Sequence, residues 1–143
     1  MSFEEKGTWT HGILAVVLPV IYASIVFPQL ATTPATDIEY QMPMLWTIGA
    51  SIVLAITASI LVAIGEGIAS PKTAGKSDQR DKDIARLGEY RGGLLLGFAM
   101  IVPLGLTLAR FDHFWIANAI YAAFILSAIL TTIVKLRIYR RGF

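Results

Sequence analysis

Four stretches of this chain, about 11–29, 44–64, 92–109 and 114–134, are apolar over roughly the 20 residues that an α-helix needs to cross a hydrocarbon core about 30 Å thick. None carries an Asp, Glu, Lys or Arg near its middle. A backbone in lipid must satisfy its own hydrogen bonds, and a helix does so within one segment. The sequence therefore predicts an all-α fold: one domain, residues 1–143, forming a four-helix transmembrane bundle of two hairpins. Its 55% hydrophobic and 15% charged content, with a mean hydropathy of +0.64, is far from that of a soluble domain.

The basic residues set the orientation. Lys6 precedes the first span, Lys72, Lys76, Arg80, Lys82, Arg86 and Arg91 crowd the middle loop, and Lys135, Arg137, Arg140 and Arg141 follow the last span. Only Arg110 falls on the other side. Basic residues beside spans are retained in the cytoplasm during insertion, so both termini and the 70–91 loop are expected there, in a multi-pass protein of the cell membrane. A basic inner surface suits anionic headgroups of the lipid bilayer. Direct nucleic-acid binding is not expected, because these charges flank spans and alternate with acids. The absence of Cys excludes disulfides and thiolate chemistry. Residues 1–6 end in no cleavage-like site, so the first span is expected to be retained.

Small residues recur every four positions. They are Ser51, Ala55, Ser59, Ala63 and Gly67 in the second span, and Ala119, Ala123, Ser127 and Thr131 in the fourth. Gly93, Gly97 and Gly105 form a line in the third, and the first adds Ala15 and Ala23. Such rows let backbones approach where lipid supplies no hydrophobic drive. The same code serves packing within one bundle or between two copies in a homodimer. Each half also reads as a Pro-containing helix followed by one opening at Trp: Pro19 then Trp46, Pro103 then Trp115. Two similar hairpins are one reading, and similar apolar composition is the other.

In the loop, Ser77 or Asp78 is a fair N-cap for a helix running into the third span, with Gly88, Gly92 and Gly93 allowing a bend. Asp78–Lys82 and Asp83–Arg86 are spaced as ion pairs, and Ile84, Leu87 and Tyr90 make an apolar stripe for the membrane surface or another protein. Gly75, Lys76 and Ser77 suggest a phosphate loop, but Ser70 stands where that motif needs Gly, which leaves a linker.

Candidate chemistry is sparse. His11 and His113 belong to opposite faces, so one chain cannot hold a haem between them. His113 beside Asp112 is a wet interfacial residue next to a helix cap, or else half of an intermolecular site. Glu66, near the end of the second span, calls for a basic partner such as Arg91 or Lys135. Asn118 is the one amide well inside a span, and Tyr22 and Tyr121 can join it in bonding across helices. Without a mid-depth charge or a nucleophile–base arrangement, no enzymatic activity, cofactor or metal is expected.

The segments MSFEEKGTW (1–9), LWTIGAS (45–51), ASPKTAGKSDQRD (69–81) and DHFWIANAIY (112–121) resemble an uncharacterised family of small four-span bacterial membrane proteins, common in actinobacteria. The family's loop usually reads Asp-Glu-Arg-Asp, and Gln79 replaces the Glu here, which argues against a metal or acid–base role. The resemblance implies an inner-membrane location and a gene neighbour encoding a small helix-turn-helix regulator, but no activity.

Two function classes follow. The first is a non-enzymatic regulator or tether that binds a soluble cytoplasmic regulator through Asp78, Arg80, Asp81, Lys82, Asp83 and Arg86. The second is a small transporter or channel, complete as a homodimer, with Glu66, Asn118, Tyr121 and His113 along its path. An accessory subunit of a larger membrane complex is a third reading.

Overall fold

The computed structural model describes residues 3–69 and 79–141, without the side chains of Phe3, Glu4, Glu66 and Ala69. It contains α1 (Phe3–Val26), α2 (Gln41–Ala69), α3 (Gln79–Ala99), α4 (Ile101–Leu108) and α5 (His113–Arg141). Short 3-10 turns at Phe27–Ala31 and Ala35–Asp37 lie between α1 and α2. Four segments are long and apolar enough to cross a membrane: Glu5–Ala31, Gln41–Gly65, Gln79–Leu108 and His113–Arg141. The expected all-α four-helix bundle is therefore the observed one. The helices overrun the expected spans mostly at the terminal end, where α1 and α3 begin and α2 and α5 finish.

Pro103 has no N–H to give and its ring crowds the preceding turn, so the third span breaks into α3 and α4 at Met100. The interruption lies there and not at the glycines, where α3 is continuous. Pro19, in contrast, sits inside an unbroken α1. The two hairpins consequently differ, both in this break and in their connections, 27–40 against 109–112. The short connection closes on a Schellman motif: the Arg110 N–H donates to the Thr107 carbonyl at 3.1 Å and the Phe111 N–H to the Leu106 carbonyl at 3.0 Å. Arg110 takes the left-handed conformation (φ 58°) that glycine usually fills.

Helix α5 is the hub. Helices α1, α3 and α4 pack on it, whereas α2 packs on α1. Close approach of α3 to α5 depends on Gly88 and Gly92, each facing a longer α5 side chain. A Cβ on Gly88 would lie 2.6 Å from Lys135 Cγ, and one on Gly92 would collide with Thr131 Oγ1. Ser127 Oγ adds a hydrogen bond to the Gly92 carbonyl at 2.9 Å. The fourth-span row therefore packs as expected, with Ala123 buried. The third-span row does not, because Gly93, Gly97 and Gly105 have nothing within 4 Å of an added Cβ. The row that packs is Ile84, Gly88 and Gly92, also four residues apart.

Side chains in the core gather at the connection end. Tyr22, Val26, Ile38 and Phe114 form a buried cluster, flanked by Leu30, Tyr40, Met44 and Tyr121. The Phe114 ring meets those of Tyr40 at 5.3 Å and Trp115 at 5.1 Å, edge to face in both cases. Along the spans, large apolar side chains such as Val20, Ile52, Leu61 and Phe98 face outward, as lipid contact requires. Hydroxyls within the spans return to the preceding turn: Thr57 Oγ1 donates to the Val53 carbonyl at 2.8 Å and Ser59 Oγ to that of Ala55 at 2.8 Å.

Candidate functional site

The residues expected to hold a partner share one short helical segment. Arg80, Lys82, Asp83 and Arg86 are exposed on the first turns of α3, and Asp81 is half-buried and engaged in an interaction. Asp78 lies outside the described residues, and with it the expected Asp78–Lys82 pair. Asp83 accepts a hydrogen bond from Gln79 Nε2, one turn earlier, at 3.2 Å. The apolar stripe of this segment is not free for a membrane or a partner. Ile84 is fully buried and Leu87 half-buried, and only Tyr90, 64% exposed, remains open. Helix α3 packs along α5, which buries Ile138 in turn, so the charged turns are held on the same rigid helix that enters the span.

The four residues expected along a solute path are not brought together. Asn118 and Tyr121 are neighbours on α5, His113 is exposed at the connection end, and the Glu66 backbone lies toward the opposite end of α2. The Glu66 side chain lies outside the described atoms. Asn118 does bond across helices: Tyr22 Oη donates to its Oδ1 at 2.8 Å, and its Nδ2 donates to the Phe114 carbonyl at 2.8 Å. Both polar ends of the amide are engaged. Interhelical bonds of this kind contribute about 0.6 kcal/mol on average in lipid, so this one orients α1 on α5 more than it stabilises the bundle. Tyr121 sits edge-on to Tyr22 at 5.1 Å and donates weakly to Thr47 Oγ1 at 3.5 Å, linking α5 to α2. Together with Phe114 these groups close the connection end.

His113 borders an open pocket of about 490 Å³ with Arg110, Asp112 and Thr36. Asp112 holds the cap position of α5, its carbonyl accepting from the Trp115 N–H at 3.0 Å. His11 belongs to the other end, which keeps the two histidines apart as expected. Lys135, one of the expected partners of Glu66, makes an ion pair with Glu89 at 3.2 Å. At 19% and 70% side-chain exposure this pair contributes about 0–1 kcal/mol. Nearby, Arg140 lies over the Trp9 ring at 5.3 Å, joining the start of α1 to the end of α5.

Sequence reasoning missed a groove of about 940 Å³ between α2 and α5, floored by α1. Ser51, Ala55 and Ser59 line it, so the second-span row faces this space instead of a packed helix. Apart from Thr47, no described α2 side chain is buried. The regular row signalled a close approach by something, but not that the described residues supply no helix to make it.

These features define the chain as a multi-pass helical membrane protein. Its four long apolar helices are consistent with a small four-span membrane protein. No protein-family model, curated protein or solved structure matches the sequence.

Proposed function

We propose that the protein is a non-enzymatic tether or regulator of the bacterial inner membrane, with both termini and the 70–91 loop in the cytoplasm, binding a soluble regulator through the charged first turns of α3. One observation carries this reading: α3 runs unbroken from Gln79 to Ala99, with Ile84 fully buried against the bundle. A partner held by Arg80, Lys82, Asp83 and Arg86 is thereby coupled rigidly to the span. Alternating charges on such a face give a partner specificity and orientation more than raw affinity. Placing this face in the cytoplasm follows from the eleven basic residues grouped on that side. A transporter reading has less support, because the connection end is filled by Tyr22, Phe114 and the Tyr22–Asn118 bond.

The test reverses the face. In the variant R80E/K82E/D83K/R86E, a soluble partner cross-linked to the wild-type chain in cells is expected to fall at least about ten-fold in recovery, the effect of losing roughly 1.4 kcal/mol. Membrane insertion and elution in detergent should be unchanged, since these side chains are exposed and eight of the eleven inner-side basic residues remain to hold the orientation. A partner that still cross-links at the wild-type level overturns the reading.

A further inference from the structure

The groove between α2 and α5 has a direction. At the connection end it stops at Tyr121, whose hydroxyl bridges to Thr47. Its middle is walled by Ile48, Ile52, Phe124 and Ile125. At the terminal end it opens among His11, Glu89, Thr132 and Lys135. Along α1 it runs from Gly7 to Pro19, about 18 Å at a rise of 1.5 Å per residue, and along α2 (Ile48 to Val62) and α5 (Tyr121 to Lys135) about 21 Å. That length exceeds the hydrocarbon depth of one leaflet, about 15 Å, and falls well short of the roughly 30 Å of both. A transmembrane helix from another chain would cross both leaflets, whereas an acyl chain whose headgroup rests at the terminal end fits the length and the polarity together.

The charges at the mouth choose the headgroup. Lys135 Nζ and a Glu89 carboxylate oxygen lie side by side, 3.2 Å apart, offering a cationic donor and an anionic acceptor at one place. The His11 ring adds an acceptor: its Nδ1 is 2.7 Å from the Gly7 carbonyl, which can only accept, so Nδ1 carries the hydrogen and the neutral ring keeps its lone pair on Nε2. The geometry points to a binding site for an amine-bearing zwitterionic phospholipid, its phosphate on Lys135, its ammonium on Glu89 and His11, and its acyl chains in the groove. The phosphate of a purely anionic lipid meets Lys135 equally well but leaves Glu89 facing negative charge. The site therefore selects against the anionic lipid that the basic surface as a whole attracts.

The full chain, purified in mild detergent and offered equimolar phosphatidylethanolamine and phosphatidylglycerol of identical acyl chains, is expected to retain the former about ten-fold over the latter in native mass spectrometry. One charge-assisted hydrogen bond supplies discrimination of that size. Glu89→Gln should bring the ratio close to one while lipid is still retained. Ala55→Trp, which fills the groove, should lose the retained lipid, and Ser59→Phe serves the same purpose should the tryptophan variant fail to insert. Equal retention of both lipids would mean annular lipid only. That result, a preference for phosphatidylglycerol, or a lipid-free dimer blocked by the groove-filling variants, would overturn the proposal.

Discussion

Replacing Phe114 by alanine is expected to lower the unfolding free energy in detergent by about 3 kcal/mol, the low end of the range for a large buried aromatic. The reason lies in where the bundle keeps its packing. In lipid, apolar side chains gain nothing by leaving hydrocarbon for protein, so stability comes from close contact and from the absence of voids. Phe114 is 1% exposed, belongs to the buried cluster with Tyr22, Val26 and Ile38, and meets the rings of Phe27, Tyr40 and Trp115. Truncation leaves a void that neither lipid nor a neighbouring backbone can enter, because α1, α5 and the 35–40 segment enclose it. Phe27 is the control: its ring also contacts Phe114, at 6.3 Å, but is 41% exposed, so lipid can replace what Phe27→Ala removes. The control should cost about 1 kcal/mol or less. Equal losses from the two variants, read by reversible denaturation in mixed micelles, would show that the connection end is not the packed part.

The second large effect contrasts adjacent glycines. Gly92→Ala is expected to destabilise by about 2 kcal/mol, the cost of an overpacked contact, whereas Gly93→Ala should be neutral or stabilise by up to about 1 kcal/mol. Helix propensity alone predicts that both substitutions help. The difference comes from the neighbours. A Cβ at Gly92 would strike Thr131 Oγ1 and come within 3.1 Å of the Ser127 carbonyl, while one at Gly93 meets nothing within 4 Å. Forcing α3 from α5 also strains the bond from Ser127 Oγ to the Gly92 carbonyl. Adding Thr131→Ala to Gly92→Ala removes the struck oxygen and should restore about half of the loss. Thermal melts of the single and double variants check both claims. No difference between positions 92 and 93 would mean that α3 does not approach α5 as described.

This contrast also marks what the sequence could and could not specify. Span number was legible because length and apolarity are imposed by the bilayer, and Asn118 because a lone amide in hydrocarbon must find a partner. The packing face of the third span was not. A lipid-facing helix is apolar all round, so periodicity that would betray the buried side of a soluble helix says little here. Two glycine rows, 88/92 and 93/97/105, run along the third span, and what separates them is that α5 side chains face the first while nothing lies within 4 Å of the second. Ile84, Leu87 and Tyr90 read as a surface stripe because 77–91 is expected as a loop helix, whereas α5 extends to Arg141 and α3 packs along it, leaving only Tyr90 open. A bend is expected at the glycines, but glycine only permits bending; the interruption falls at Met100, just before Pro103, which removes a hydrogen bond, although the same loss at Pro19 leaves α1 unbroken. The small row of α2 was visible, yet nothing in the sequence separates a row covered by a helix from one left facing a groove.

The most direct test of the account is which side of the membrane each end of the bundle faces. With no native Cys, every label reports an introduced position. Single variants Thr36→Cys at the connection end and Arg80→Cys at the start of α3 are both exposed. In intact cells a membrane-impermeant maleimide is expected to label Thr36→Cys and to reach Arg80→Cys only after the membrane is opened. Labelling of Arg80→Cys in intact cells would put the charged helix outside and contradict the account.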